Sequence, residues 1–471
     1  MKKFSTLILA VAVSIAATVS CDKKEDTGKS EEGYIDSIYD QIFEMVVSAS
    51  IDGTYTKALA EAGNNLAPAF ATTEHIYVYN ETTQTMLIGH LQPEADAAGA
   101  TLKGKFNGTI STGNSLKLIY LKDAIDYDGQ DGTLDGLASG FGYATANVSV
   151  SSVTSGKKVT TSDASFTTQQ SIAKLTFPVK VKSLTISEPE GLVQSIASDG
   201  TETKGDITIT LGTPSTEVYV AIRSNSDSEQ TYFFDVKDKS GSTYQGYSSV
   251  KIAGAKIYDL SITNLREYVD MGFGIKWATC NLGASSPTEI GDYYAWGEME
   301  PYYEDGYAKE SPGAHWKEGK TAGYYWGSYK FNPSGDGATF TKYGAGEVLD
   351  LADDVARASW GGKWCIPDAS RASSLMKGEN TSKTWYEDYL GTGVKGLLIT
   401  SKVSGCEGNS IFLPFTGNRW RTWWYYDRSF YWLSSTGTAS KASALTFTAT
   451  EALNSTEFDR FIGFPVRPVI Y

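Results

Sequence analysis

Aromatic and charged residues crowd together in one short segment near the C-terminal end of the chain. The segment reads NRWRTWWYYDRSFYW over residues 418–432. Rings of this kind can stack on the C–H faces of sugars or on protein side chains, while neighbouring charged groups bond to hydroxyls. The alternative, left open by the sequence, is that most of these rings pack the domain's own loops. The candidate ligand-binding residues are Arg419, Trp420, Arg421, Trp423, Trp424, Tyr425, Tyr426 and Asp427.

A second aromatic segment, residues 315–329, could share the same surface. It contains Trp316, Tyr324, Tyr325 and Trp326. We take Trp316 and Trp326 as a second candidate surface, because large rings are enriched where proteins bind partners.

Residues suited to catalysis or to metal binding are sparse. The histidines are scattered, which leaves little material for imidazole clusters: His75, His90 and His315. Four aspartates could supply oxygen ligands to calcium, but they lack the spacing of a closed calcium loop and are more typical of a solvated face: Asp336, Asp350, Asp353 and Asp354. No two carboxylates are fixed at a separation suited to glycoside hydrolysis. We therefore expect no metal, no cofactor and no enzymatic activity.

The charge balance argues against a nucleic-acid partner. Lysine and arginine together number 41 against 55 aspartates and glutamates, which gives a formal charge of −14. Without Lys2 and Lys3, which lie in a signal-like segment, the charge falls by two to −16. A protein that neutralises phosphates needs a basic face, and an acidic chain rarely assembles one.

The N-terminal residues have the layout of a secretory signal. Lys2 and Lys3 precede an apolar run from Leu7 to Ala17, which is too short for a permanent membrane span. Residues 18–21 (TVSC) resemble a bacterial lipobox, which implies removal of residues 1–20 and a lipid on Cys21. The following DKKED resembles the surface-export signal of Bacteroidetes lipoproteins, and residues 21–33 are predicted to be a flexible tether.

A break in composition divides the rest of the chain. All eleven tryptophans lie between Trp277 and Trp432, which indicates two evolutionary modules. In the first module, alternating apolar and polar runs separated by Gly, Asn, Asp and Ser predict antiparallel strands. Their spacing predicts two β-sandwiches, residues 34–178 and 179–265, with a boundary near Pro178–Lys182. The predicted fold class is mainly β with several domains.

The first module also carries a family resemblance over about residues 34–265. Its segments stand in the order found in the fimbrillin family of Bacteroidetes lipoproteins: VVSASIDGTYTKAL (46–59), HIYVYN (75–80), ATLKGKFNG (100–108), SLKLIYL (115–121), SIAKLTF (171–177), SLTISEPEG (183–191) and AGAKIYDLSI (253–262). The resemblance implies two transthyretin-like Greek-key β-sandwiches and assembly with other fimbrial subunits by β-strand addition. Stalk subunits of that family are typically cleaved after arginine. No arginine precedes Arg223, so either cleavage uses a lysine such as Lys29 or Lys57, or the N-terminal strand stays and this is a terminal or anchor subunit. We expect an accessory or tip position, because the additional C-terminal module would be awkward inside a repeating shaft.

The tryptophan-rich module, residues 268–471, resembles a different family. Its motifs are YVDMGFGIKWATCNLGASSPTEIGDYYAWGE (268–298), DVARASWGGKWCIPDASRASSLM (354–376), GNSIFLPFTGNR (408–419), YWLSST (431–436) and GFPVRPV (463–469). In this order they resemble the Fibrobacter succinogenes major paralogous domain, which implies an α+β C-type-lectin-like fold. Local signals predict a helix over Asp350–Ser359 that stops at Gly361, and a second helix over Ala369–Lys377 capped by Asp368.

Three cysteines remain besides Cys21. Cys280 lies in a motif of the second family and is expected to be a buried thiol. Cys365 and Cys406 stand where that family more usually shows other residues. Their joint presence in an exported protein suggests a disulfide bond between them.

Together these observations predict a surface-exposed lipoprotein of the cell outer membrane. It would act as an accessory or tip fimbrial subunit, and its lectin-like module would adhere to a glycan or to a host or microbial surface protein. The alternative is a lipoprotein outside pili that captures glycans for polysaccharide uptake. Calcium-dependent sugar binding is not expected, because the Glu-Pro-Asn and Trp-Asn-Asp motifs of C-type lectins are absent from the sequence.

Overall fold

The computed structural model describes residues 42–51, 70, 72–121, 124–134, 136–137, 143–197, 200–223, 226, 228–253, 256–302, 323–421, 423–451 and 453–471. The predicted signal peptide (1–20), the tether (21–33), Cys21 and Trp316 lie outside these ranges. Within them the chain is mainly β and multidomain with several sheets, which confirms the coarse fold class. None of the helices in the described ranges has the length and apolar character needed to cross a membrane.

The first sheet closes on itself. Pairing runs β1–β5–β4–β2–β6–β8–β10 and returns to β1, with β3 beside β2 and with β9 joining β8 to β1. A closed ring removes the unpaired edges that would otherwise bond to other chains. The strand bounds are β1 (Ile42–Ile51), β2 (Ile76–Asn80), β3 (Thr85–Met86), β4 (Ile88–Pro93), β5 (Gly99–Asn107), β6 (Ser115–Leu121), β7 (Ile125–Asp126), β8 (Tyr143–Val153), β9 (Lys158–Thr161) and β10 (Ala164–Thr168).

The second sheet is open and long. Its order is β14–β11–β15–β16–β18–β19–β28, and β17 pairs with β11 in parallel. A small sheet of β13, β12 and β7 lies beside it. The strand bounds are β11 (Ser171–Ser187), β12 (Leu192–Ile196), β13 (Glu202–Gly205), β14 (Ile207–Ile222), β15 (Gln230–Asp238), β16 (Thr243–Val250), β17 (Ile257–Ser261), β18 (Arg266–Asp270), β19 (Lys276–Ala278) and β28 (Val469–Ile470).

The boundary predicted between residues 178 and 179 falls inside a strand, and that prediction is corrected. β11 runs through it, with shifts in pairing register between Thr176 and Ser183. Pro178 lies within these shifts, where a missing backbone N–H is tolerated. Phe177 and Val181, on either side of the proline, belong to the same buried core. The first core extends to Phe166, and the second core also includes earlier residues between Ile119 and Tyr143, so the two cores interleave along the chain.

In its described residues the tryptophan-rich module has three small sheets and two short helices. The sheets are β20–β21–β22, β23–β24 and β25–β26–β27. The bounds are β20 (Thr381–Tyr386), β21 (Gly396–Ser401), β22 (Ser410–Pro414), β23 (Asn418–Trp420), β24 (Trp423–Tyr425), β25 (Ser429–Thr436), β26 (Lys441–Phe447), β27 (Asn454–Asp459), α1 (Val355–Trp360) and α2 (Ala369–Met376), with single 3-10 turns at Trp326–Ser328, Leu351–Asp353 and Tyr389–Gly391. One further 3-10 turn, Tyr127–Gly129, lies in the first module, after β7.

The helix-end signals at Asp368 and Gly361 match the structure. Asp368 caps α2 by accepting a hydrogen bond from the Arg371 N–H at 2.8 Å. Gly361, with φ of +66°, ends α1. The first helix is shorter than predicted because residues 351–353 form a 3-10 turn instead, and Asp354 caps the helix that follows.

The second sheet continues into the tryptophan-rich module across the predicted boundary at residues 265–268. β18 pairs with β16 on one side, through Tyr268 opposite Thr243, and with β19 on the other. The Tyr268 hydroxyl donates a hydrogen bond to Asp235 at 3.2 Å, and Lys276 lies 3.3 Å from the same carboxylate. The two modules are therefore joined by backbone pairing as well as by chain connection.

Candidate binding surface

The aromatic segment forms a β-hairpin. β23 and β24 pair Asn418 with Tyr425, Arg419 with Trp424, and Trp420 with Trp423. Side chains alternate between the two faces of such a ribbon, so the Arg419–Trp424 pair faces the opposite way from Trp420 and Tyr425. The cluster of rings is thereby divided between an inner and an outer face.

The inner face is part of the module's interior. Arg419 is 1% exposed, and its guanidinium lies 5.9 Å from the ring centre of Tyr293. The indole N–H of Trp424 donates to the Tyr293 hydroxyl at 2.9 Å and to the Thr416 carbonyl at 3.1 Å. Burial raises the pKa of Tyr293 above its ordinary value, so its hydroxyl stays protonated. The structure places Arg419 and Trp424 as anchors of the hairpin rather than on its outer face.

The outer face presents open rings. Trp420 is 38% exposed and Tyr425 is 41% exposed. Their ring centres are 5.9 Å apart at an interplanar angle of 53°. The guanidinium of Arg421, an exposed residue, lies 5.1 Å from the Trp420 ring centre. The side chain of Trp423 lies outside the described part of the chain.

Tyr426, directly after the hairpin, is a third exposed ring. It is 41% exposed, packs edge-on against Phe415 at 4.7 Å and lies 4.6 Å from Trp424. The Lys395 ammonium lies 4.7 Å from the Tyr426 ring centre. Burial of part of the residue raises the pKa of Tyr426. Asp427 follows as an exposed residue.

Backbone constraints hold the turn of the hairpin. The Arg421 N–H donates to the Tyr324 carbonyl at 2.7 Å, and the Tyr324 N–H donates back to the Arg421 carbonyl at 2.9 Å. Arg421 has φ of +54°, a left-handed conformation that such pairing helps to fix. Gly417, at φ +65°, lies under the hairpin, where a Cβ would collide with the Tyr425 carbonyl oxygen. Chain segments distant in sequence therefore preorganise the outer face.

In the second aromatic segment, the exposed ring is Tyr325 and not the predicted Trp326. Trp326 is half-buried and packs edge-on against Phe461 at 4.7 Å and Phe340 at 5.4 Å. It belongs to the interior, because its neighbours are core rings. Tyr325 is instead the exposed member, at 41%. The pairing of Tyr324 with Arg421 brings this segment to the hairpin.

We call the exposed residues Trp420, Arg421, Tyr425 and Tyr426, with Lys395, the aromatic face. Sequence reasoning missed Lys395 because it lies before β21, far from the aromatic segment in the chain. No local pattern marks it, and only its position over Tyr426 and Phe415 brings it into the face.

The predicted Cys365–Cys406 bridge is not formed, and both thiols are free. Cys365 is buried in the module core, with its sulfur 3.8 Å from the Val469 carbonyl oxygen. Cys406 lies in the loop between β21 and β22, where it neighbours Gly272. The two residues thus pack against different elements. Cys280, expected to be buried, is half-buried and free.

The four aspartates considered for calcium already have protein partners. Asp336 accepts from the N–H groups of Ala338 and Thr339, each at 2.8 Å. Asp350 and Asp353 bind Lys342 at 2.6 and 2.5 Å, and Asp354 caps α1. Among the described residues, no group of three or more His, Cys, Asp or Glu side chains is placed to hold a metal ion.

Comparison with known proteins gives similarity only to solved structures. No known family matches the chain, and no curated protein does. A candidate cell adhesion protein from Parabacteroides distasonis is 13% identical, with 47% of this chain and 88% of that chain covered and a TM-score of 0.27. A candidate adhesin from Bacteroides ovatus is 9% identical, with 51% and 98% covered and a TM-score of 0.24. The major pilin of Streptococcus pyogenes is 14% identical, with 47% and 98% covered and a TM-score of 0.14. TM-scores this low carry no argument about function.

Proposed function

We propose that this protein is a surface adhesin whose tryptophan-rich module binds a glycan through the aromatic face. The observation that supports this proposal is the exposure of Trp420, Tyr425 and Tyr426 on a hairpin whose other face is buried. Several large exposed rings within seven residues are uncommon on a monomer without a partner. Anchoring by Arg419 and Trp424 means that little conformational freedom is lost when a ligand binds.

The geometry suits sugars. The rings of Trp420 and Tyr425 are tilted by 53° to each other and do not stack together. Each ring therefore has a face on which a sugar of the same saccharide chain can stack. Their edges and the Arg421 guanidinium offer donors for hydroxyl groups around the stacked face. Binding of this kind needs neither a metal nor a reaction at the sugar. We propose accordingly that the protein is not an enzyme.

The wider setting is also part of the proposal. We infer a surface-exposed outer-membrane lipoprotein held by the lipid on Cys21, which serves as an accessory or tip subunit beside other fimbrial subunits. β-strand addition would join it to those subunits. The N-terminal signal, the fimbrillin-like order of segments and the lectin-like motifs of residues 268–471 support these parts.

Glycan-array binding tests the proposal. The chain from residue 22 onward, without the lipid, is applied beside a Trp420→Ala variant. We expect binding to a subset of glycans, unaffected by EDTA, and a loss of about 1–3 kcal/mol of affinity in the variant at unchanged melting temperature. Trp326→Ala should lower stability instead, because its ring is packed in the core. Absence of binding to every glycan, or equal binding by Trp420→Ala, would contradict the proposal.

A further inference from the structure

Arg421 and Lys395 hold their charges against the open rings. The Arg421 guanidinium lies 5.1 Å from the Trp420 ring centre, and the Lys395 ammonium lies 4.7 Å from that of Tyr426 and 4.5 Å from that of Phe415. These are distances for cation–π contact. Such contacts keep each cation beside the ring on which a sugar would stack.

Neither cation forms an ion pair with an acidic residue in the part of the chain that the structure describes. Lysines elsewhere in the same module behave differently: Lys330 and Lys342 both bind Asp353. Near the aromatic face, Arg428 is paired with Glu451. Asp427 is the exposed acid that follows Tyr426.

The aromatic face therefore carries two cations, Arg421 and Lys395, that form no ion pair with a described residue, on a chain whose formal charge is −14. The nearby acids have other hydrogen-bond partners or lie in the open: Glu387 accepts from Trp385, Asp388 accepts from the Gly393 N–H, and Asp427 is exposed. A negatively charged ligand is repelled by most of an acidic surface, so a local excess of cations selects where it can dock. The stacked cations are also partly ordered in advance, which lowers the entropy lost on pairing.

We propose that the aromatic face recognises acidic glycans, with sugar carboxylate or sulfate groups paired to Arg421 and Lys395 while the sugar rings stack on Trp420, Tyr425 and Tyr426. This inference rests on the proposed function, because it assumes that the face binds sugars. To the proposed function it adds the class of sugar. It also assigns the pairing with acidic sugar groups in part to Lys395, a residue outside the aromatic segment.

Matched polysaccharides test the charge requirement. The chain from residue 22 onward is titrated with polygalacturonate and its methyl ester, and with chondroitin sulfate, unsulfated chondroitin and carboxyl-reduced chondroitin. We expect the acidic member of at least one series to bind at least about tenfold more tightly than its neutralised form. The chondroitin series then shows whether sulfate or carboxylate is read. Added NaCl should weaken acidic binding, because these partly exposed charges are screened.

Side-chain variants separate charge pairing by Arg421 and Lys395 from ring stacking on Trp420. Arg421→Gln removes the charge without adding backbone strain, because the residue at this position, with φ of +54°, has a Cβ in both proteins. Lys395→Met removes the charge and keeps an apolar side chain of similar length. Each should lower affinity for the acidic polymer about three- to tenfold and leave weak neutral binding unchanged. Trp420→Ala should weaken both. The exposed Lys377→Gln, on the C-terminal side of α2, is the control for loss of one charge.

The outcomes distinguish this inference from the function on which it rests. Equal binding of acidic and neutral forms, reduced by Trp420→Ala, overturns the acidic preference and leaves glycan adhesion standing. An acidic preference that survives Arg421→Gln combined with Lys395→Met overturns the assignment of these residues. If neither these polymers nor a neutral and acidic glycan array is bound, adhesion to glycans and the acidic preference both fail.

Discussion

Alternation along a single hairpin decides which clustered rings can meet a ligand. Arg419 and Trp424 are directly paired and share the inner side, while Trp420 and Tyr425 lie on the outer side. The distinction has a measurable consequence, because inner residues should affect stability and outer residues should affect binding.

Replacing Trp424 by Phe should lower stability with little effect on the outer rings. The change removes an indole N–H that bonds to Tyr293 and Thr416. The Tyr293 hydroxyl still donates to the Thr416 carbonyl, so the expected cost is that of lost hydrogen bonding, about 0.5–1.5 kcal/mol. Trp420→Phe is the matched control, because its exposed ring keeps a stacking surface. Urea unfolding measures both. Equal stability of the two variants would contradict the inner and outer assignment.

The cysteines should differ in reactivity. Burial raises the pKa of Cys365 to about 12, so almost none of it is thiolate at pH 8, and the residue is shielded as well. Cys406 is half-buried, and burial also raises its pKa. We expect native alkylation at Cys406 before Cys365, and both to react in urea without a reductant. Peptide mass mapping that finds a Cys365–Cys406 bridge, or Cys365 reacting first, contradicts this expectation.

Acid should weaken the 3-10 turn that carries Asp353. Burial would raise the pKa of Asp353, but hydrogen bonds from Lys330, Lys342 and Tyr343 outweigh it and lower the pKa to about 2. An unfolded aspartate titrates near pH ~4. Because the folded pKa is the lower one, the stabilisation is complete above about pH 4 and is lost as the pH falls through about 2.

The pH dependence can be read from one variant. Asp353→Asn removes the charge at every pH, so the variant should be less stable than the wild type at pH 7. The difference between their free energies of unfolding should narrow between pH ~4 and ~2. Asp427→Asn, at an exposed position, is the control and should show no such gap. Urea unfolding across this range gives the difference. A gap that stays constant down to pH 2 would show that Asp353 has no such role.

At the scale of elements, the contact between α1 and the second sheet closes the junction of the modules. Gly361 and Gly362, which follow α1, both have positive φ and lie against the Tyr247 ring of β16. The Arg266 guanidinium packs 5.3 Å from the Trp360 ring centre, and Lys363 lies 4.6 Å from that of Phe233. This packing reinforces the pairing of β18 with β16.

Gly361→Ala should be more destabilising than Gly346→Ala, a change at another glycine with positive φ. A Cβ at Gly361 would come within 2.7 Å of Tyr247 Cε1, whereas at Gly346, also at positive φ, it would meet nothing within 4 Å. At Gly361, φ of +66° and ψ of −157° lie in a region that only glycine adopts readily, so a Cβ adds backbone strain of about 1–3 kcal/mol. Crowding adds about 1–3 kcal/mol there. Thermal melts compare the two. Adding Tyr247→Ala to Gly361→Ala should relieve the crowding, so the double variant should lose less stability than the sum of the two single losses. A loss equal to that sum would contradict crowding as the cause.

At the scale of the whole molecule, separate cores coexist with a shared sheet. The core clusters of the tryptophan-rich module begin at Tyr268, and the second core, which lies before it in the chain, ends at Ile262. Burial is thus partitioned at the predicted boundary even though strand pairing crosses it. Because burial supplies most of the folding free energy, the module has the means to fold alone.

Residues 268–471 should therefore fold as a fragment, with reduced stability. The fragment keeps its cores and every tryptophan, but β18 loses Arg266, Glu267 and the pairing with β16. We expect a cooperative melt by tryptophan fluorescence, at a lower temperature than in the chain from residue 34 to 471. A fragment that is soluble only when residues 34–265 are attached would contradict independent folding.

Signals carried by near neighbours in the sequence were sufficient for several features. The alternating patterns identified a mainly β chain, Asp368 and Gly361 marked helix ends, and the first tryptophan, Trp277, lies close after the point where the cores divide. Caps and periodic burial depend on residues a few positions apart, so the sequence alone determines them.

Long-range contacts decided the rest. The inward direction of Trp424 depends on Tyr293, 131 positions away, and the aromatic face includes Lys395 only because β21 and β22 bring it to Tyr426. β11 passes through the predicted boundary because pairing on both sides holds it across Pro178. Strand register and strand partners are set by the packing of distant segments, so a list of nearby residue types cannot choose among them.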